Sequence, residues 1–135
     1  MYKKILVPVV LDHSRNVDAS LEAAQALADD GAEFVIMHVV QIIPNYVSEY
    51  IPADFIKQNR AQLEADLQEI ADRVPNARVV VTEGKAGMRV EEWAASNDVD
   101  CIVIASHTPK MSDILLGSTA HHVVRHAKCA VHVVR

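Results

Sequence analysis

The residues best suited to chemistry lie between 101 and 125. Cys101-Ile-Val-Ile-Ala105 is a short apolar run, residues 106–112 are polar and contain Pro109, and apolar residues resume at helical spacing behind Gly117-Ser118-Thr119. This reads as strand, loop and helix, with the helix starting at a glycine followed by two hydroxyl residues. Such a start offers an anion its unpaired backbone N–H groups, two side-chain donors and the positive end of the helix dipole. The plainer alternative is an ordinary helix cap, for which Gly and Ser are common choices. No GxxxxGK[ST] loop occurs, and Ser118 has neither a GxSxG context nor an evident base, so acyl transfer is not expected. Seven histidines raise the question of a metal, but only His122 and His126 have useful helical spacing. No carboxylate or cysteine accompanies them in sequence, so they read as a solvated helix face. No CxxC or HExxH motif occurs, and no metal site is expected.

The elements that must hold this stretch follow from hydropathy. Residues 4–11 are nearly all aliphatic and too few for a helix, as in a strand buried on both faces. Asp12-His13-Ser14 interrupts them, and Val17, Leu21, Ala24, Leu27 and Ala28 follow at helical spacing until Asp29-Asp30-Gly31. A second two-faced strand is expected over 33–40, and residues 41–53, with Pro44 and Pro52, read as a loop. A long helix capped by Asp54 then runs to about 74, with Ile56, Leu63, Leu67 and Ile70 on one stripe. Strands over 77–83, 100–105 and 130–134 alternate with helices over 88–96 and 117–127. Strands alternating with helices imply a parallel sheet with right-handed crossovers and a ligand crevice at the carboxyl ends of the strands.

Composition narrows the function. The chain has 135 residues, half of them hydrophobic and 23% charged, enough for one domain over 1–135 but not two. The longest apolar runs are too short to span a membrane, and no signal peptide is evident, so a cytoplasmic protein is expected. Cys101 and Cys129 read as buried apolar residues rather than a disulfide. A net charge of −5 and few aromatic residues disfavour nucleic acid.

Several segments, in order, resemble the universal stress protein family: Ile5-Leu-Val-Pro8, Asp12-His-Ser14, Met37-His-Val39, Ala105-Ser-His-Thr108, Leu115-Leu-Gly-Ser118 and Ala130-Val-His-Val-Val134. The resemblance covers the whole chain. Ile104-Ala-Ser-His-Thr-Pro109 and Val124-Arg-His-Ala-Lys-Cys129 are particularly similar to the F/G-type branch. It implies an α/β fold, a five-stranded parallel sheet with helices on both faces, Rossmann-like (HUP class), in strand order 3-2-1-4-5. It also implies an adenine nucleotide, ATP first, with Mg²⁺ accompanying it, held by Pro8, Asp12, Val39, Ala105, Ser106, His107, Thr108, Gly117, Ser118 and Thr119. Asp12 would accept hydrogen bonds from adenine or ribose at the end of a first strand extended by two residues. Ala105 and Thr108 stand where the nucleotide signature has glycines, and the stretch from Thr108 to Gly117 is one residue shorter than in that signature. Each replacement brings a Cβ toward the phosphate path. No residue is suited to activate water for phosphoryl transfer, so a sensor or at most a slow hydrolase is expected. A nucleotide-free dimeric interaction module and an adenylyl-transferring enzyme are the rival readings. The resemblance further implies a homodimer through the edge strand 130–134.

Overall fold

The computed structural model describes residues 1–10, 14–106 and 116–135. The chain runs β1 (Tyr2–Pro8), α1 (Ser14–Leu27), β2 (Ala28–Val40), α2 (Asn45–Ser48), α3 (Ala53–Ala71), β3 (Ala77–Glu83), α4 (Ala86–Ser96), β4 (Cys101–Ala105), α5 (Ser118–His126) and β5 (Ala130–Val134). All five strands are parallel, in the order β3-β2-β1-β4-β5, the Rossmann-like arrangement expected.

The near-continuous apolar strands follow from this layering. β1 is central, with Leu6 opposite Val35 on one side and Ile102 on the other. Because side chains alternate along a strand, Ile5 and Val7 face one core with Val17, Leu21, Ala24, Leu67 and Ile70 from α1 and α3. Leu6 faces a second core with Val90, Ala94, Ala120 and Val123 from α4 and α5. A polar residue at any of these strand positions would be buried without a partner.

Several boundaries differ from expectation. β1 stops at Pro8; Val9 still donates its N–H to Met37 O at 2.8 Å, but Val10 is 58% exposed. The apolar run outlasts the strand, so the expected extension through 10 is absent and position 11 lies outside the described residues. β2 starts at Ala28 rather than 33. Tyr2 pairs with Ala28 and Lys4 with Glu33, so the strand takes up extra residues in a bulge, and Gly31 adopts φ +76°. Asp29-Asp30-Gly31 is therefore an irregular strand segment and not a helix-ending loop. The connection over 41–53 contains the single turn α2. Pro52, not Asp54, is the cap residue of α3, and Asp54 sits in its first turn. Ile56 does not join the core stripe: it is 41% exposed, because α3 reaches its buried contacts only from its second half, at Leu67, Ile70 and Ala71.

Two contacts tie the layers together. The Asp100 carboxylate, just before β4, accepts hydrogen bonds from the backbone N–H groups of Lys3 and Lys4 at 2.9 and 3.0 Å, while Asp100 N donates to Lys4 O. α4 begins at Ala86, two residues earlier than expected, which puts Gly87 inside the helix. A Cβ there would lie 2.7 Å from His122 Cβ, so the absent side chain lets α4 and α5 approach.

Candidate functional site

The carboxyl ends of β1, β2 and β4 surround a cavity of about 210 Å³. Pro8, Val9 and Val10 line it from β1 and beyond, Met37, His38 and Val39 from β2, and Ile104, Ala105 and Ser106 from β4. Val17 and Ser20 enter from α1, Ala86 and Val90 from α4, and Gly117, Ser118, Thr119 and Ala120 from α5. The cavity exists because β1, at the centre, ends between neighbours whose crossovers leave to opposite faces, which opens a crevice at that edge of the sheet.

α5 supplies the polar end. Gly117 N donates to Ser106 O, and the first intrahelical bond runs from His121 N to Gly117 O at 2.8 Å. The N–H groups of Ser118, Thr119 and Ala120 therefore have no acceptor within the helix, and no side chain caps them. Gly117 has φ −58°, open to any residue, so its conformation does not require glycine.

Among the described residues, the remaining lining is apolar apart from hydroxyls and one imidazole. Ser20 and Ser106 are the two buried polar residues among those described, each 2% exposed, and both line this cavity. His38 Nδ1 lies 2.9 Å from Val9 O; a carbonyl only accepts, so Nδ1 carries the proton and Nε2 of the neutral ring is an acceptor. Among the described residues, no Lys, Arg, Asp or Glu lines the cavity.

Of the residues singled out from sequence, Pro8, Val39, Ala105, Ser106, Gly117, Ser118 and Thr119 come together around this one cavity. Asp12, His107 and Thr108 lie outside the described residues. Sequence reasoning missed Ser20, whose signal was a hydroxyl on the otherwise apolar stripe of α1, and His38, which it had read only as part of a strand motif.

Other candidates resolve differently. His122 does not lie on a simply solvated face: its Nε2 is 2.7 Å from a Glu91 carboxylate oxygen on α4, and its ring lies 4.3 Å from that of His126. Helix packing supplies the carboxylate that sequence spacing did not. Among the described residues no three metal-ligating side chains form a set able to hold an ion. Cys101 and Cys129 are both free thiols, and Cys129 is only half-buried rather than buried. Burial, then the neighbouring Cys129 and Asp100, push the Cys101 thiol up to about 11; burial also raises that of Cys129.

Residues 1–135 match the model of the Universal stress protein family. The chain is 31% identical over 139 residues to universal stress protein A homolog 2 of Coxiella burnetii, covering 99% of this chain and 95% of that protein. It is also 31% identical over 145 residues to universal stress protein G of Shigella flexneri, covering both completely. Among solved structures, universal stress protein UspA from Lactobacillus plantarum superposes with a TM-score of 0.80 at 24% identity, over 99% of this chain and 98% of that one. A universal stress protein in complex with cAMP gives 0.73 at 20% identity, over 99% and 97%. One from Archaeoglobus fulgidus in complex with dAMP gives 0.69 at 18% identity, over 99% and 98%. At these identities the structural likeness speaks to the fold.

Proposed function

The chain belongs to the universal stress protein family, and from that premise we propose that it binds an adenine nucleotide, ATP or another, in the cavity at the ends of β1, β2 and β4. The observation that carries this reading is the convergence of the free N–H groups of α5 with the Ser118 and Thr119 side chains at one end of an otherwise apolar cavity. An apolar slot suits a planar base, and a helix N-terminus suits a phosphate. Structural neighbours in complex with cAMP and with dAMP support the ligand class. Asp12, His107 and Thr108 complete the proposed site, and Mg²⁺ would enter only with a polyphosphate.

In this reading the protein is a regulatory binder and not an efficient enzyme. Its setting is cytoplasmic, which agrees with two free thiols, and it works as a homodimer through β5. Titration calorimetry with adenine nucleotides and Mg²⁺ tests the binding. Saturable heat is expected, lost or weakened by changes at α5; no heat at millimolar ligand would favour the nucleotide-free interaction module.

A further inference from the structure

Residues 42–56, which carry the chain from β2 into α3, turn apolar side chains outward. Tyr50 is 87% exposed, Tyr46 73% and Ile42 68%, and Phe55, Ile43 and Ile56 lie between 41 and 54%. α2 buries no residue, and every residue of 52–59 is exposed, so the first turns of α3 lean on nothing in the fold. A helix segment exposed all round is ordinarily polar; this one holds Phe55 and Ile56. Val47 O and Ser48 O accept from Tyr50 N and Ile51 N, which coils the connection between the two helices and keeps these side chains within one short stretch.

The area is that of an interface. With about 150–250 Å² for a fully exposed aromatic side chain and somewhat less for an aliphatic one, the six residues present roughly 600–700 Å² of apolar surface. That reaches past the ~300–600 Å² of the largest patch on a typical monomer. Two such faces together would bury about 1,200–1,400 Å², the low end of stable protein interfaces.

Charge selects the occupant. Glu49, Asp54 and Lys57 accompany the apolar side chains in sequence, and none of the three is ion-paired among the described residues. One cation against two carboxylates gives an anionic bilayer or a nucleic acid no attraction. An isologous contact uses the same face on both copies and so must suit itself. An apolar centre does, and charges of both signs let Lys57 of one copy meet a carboxylate of the other. The face adjoins α3, which packs on β2 and β3, whereas β5 is the opposite edge of the sheet.

We propose that residues 42–56 form a second self-association face, on which two copies of this chain meet about a twofold axis whether or not each is already paired through β5. With an area at the low end for interfaces the contact is weak, and it forms above the tens of micromolar at which β5 pairing is read.

Sedimentation equilibrium on the full chain from about 20 μM to about 1 mM, the range in which a weak interface fills, tests it. The wild-type mass is expected to double over that range. Tyr46→Ser combined with Tyr50→Ser, and separately Phe55→Ser, change only exposed side chains. Both variants are expected to keep the wild-type circular dichroism and the wild-type mass at the lower concentration, and to lose the doubling. A wild type that does not double, or a doubling that survives in both variants, overturns the proposal. Phosphatidylcholine vesicles that retain the wild type but not the variants would in that case give the face to a bilayer.

Discussion

Cys101 opens β4 at 1% exposure, and the low-dielectric surroundings favour its neutral thiol, which raises its pKa from 9.0 to about 11. Because the folded-state pKa lies above the unfolded one, the folded chain holds this proton where the unfolded chain has lost it. The resulting stability is full below the unfolded thiol pKa and is lost as pH rises through about 11. Between pH 8 and 11 the wild type should lose roughly 2 kcal/mol more stability than Cys101→Ala, by urea unfolding. Equal losses would mean that the thiol titrates normally. At the cavity, Ser118→Ala should weaken nucleotide binding by about 1–2 kcal/mol, the scale of a hydrogen bond to a charged group, as read by calorimetry. Gly117 and Ser118 were visible in sequence because a glycine before two hydroxyls is a local signal. Ser20 was not, since a serine on an amphipathic helix is ordinary until its neighbours are known.

Two features govern how the elements meet. An alanine in place of a helical glycine normally gains up to about 1 kcal/mol from propensity, less in the first turn where Gly87 sits. At Gly87 the new methyl would meet His122 Cβ at 2.7 Å, an atom fixed to the α5 backbone, so α4 and α5 must separate. Gly87→Ala is therefore expected to destabilise the protein by about 1–3 kcal/mol, seen as a lower denaturation midpoint; a gain would mean that the helices separate freely. Asp100 works at the opposite end of the sheet, its carboxylate accepting from the N–H groups of Lys3 and Lys4. Asp100→Ala should cost roughly 1–3 kcal/mol and speed amide exchange at Lys3 and Lys4. Unchanged exchange there would show that the carboxylate does not hold the strand.

In the whole molecule, β3 and β5 are the two edges of the sheet. β3 carries Arg78, bonded to Glu33, and ends at Glu83, charges of the kind that blunt an edge. β5 has only His132 among Ala130, Val131, Val133 and Val134. Val134 O accepts from Ser106 N on the β4 side, so by alternation the Val133 N–H points to the open edge. The proposed homodimer pairs two such edges antiparallel about a twofold axis. Val133→Pro removes the outward donor while sparing the β4 ladder, and should shift the protein from dimer to monomer by light scattering at tens of micromolar. A monomeric wild type, or a proline variant that stays dimeric, would place the interface elsewhere.

Layering could be read from the sequence because the central strands are apolar on both faces and the longer helices on one, a pattern that a covered parallel sheet satisfies, whereas the strand order was implied by the resemblance to the family. The same local logic identified the α5 start. Contacts between distant segments could not be read in this way. Glu91 reaches His122 only because Gly87 lets two helices close together, and Ser20 faces the cavity because α1 crosses behind β1. The end of β1 and the start of β2 likewise escaped the hydropathy pattern, since a strand reaches as far as its neighbour's hydrogen bonds and not as far as its apolar residues. The sequence by itself determined which faces must be buried. Which residues then meet around the cavity was decided by the tertiary structure, through packing between segments that no local period encodes.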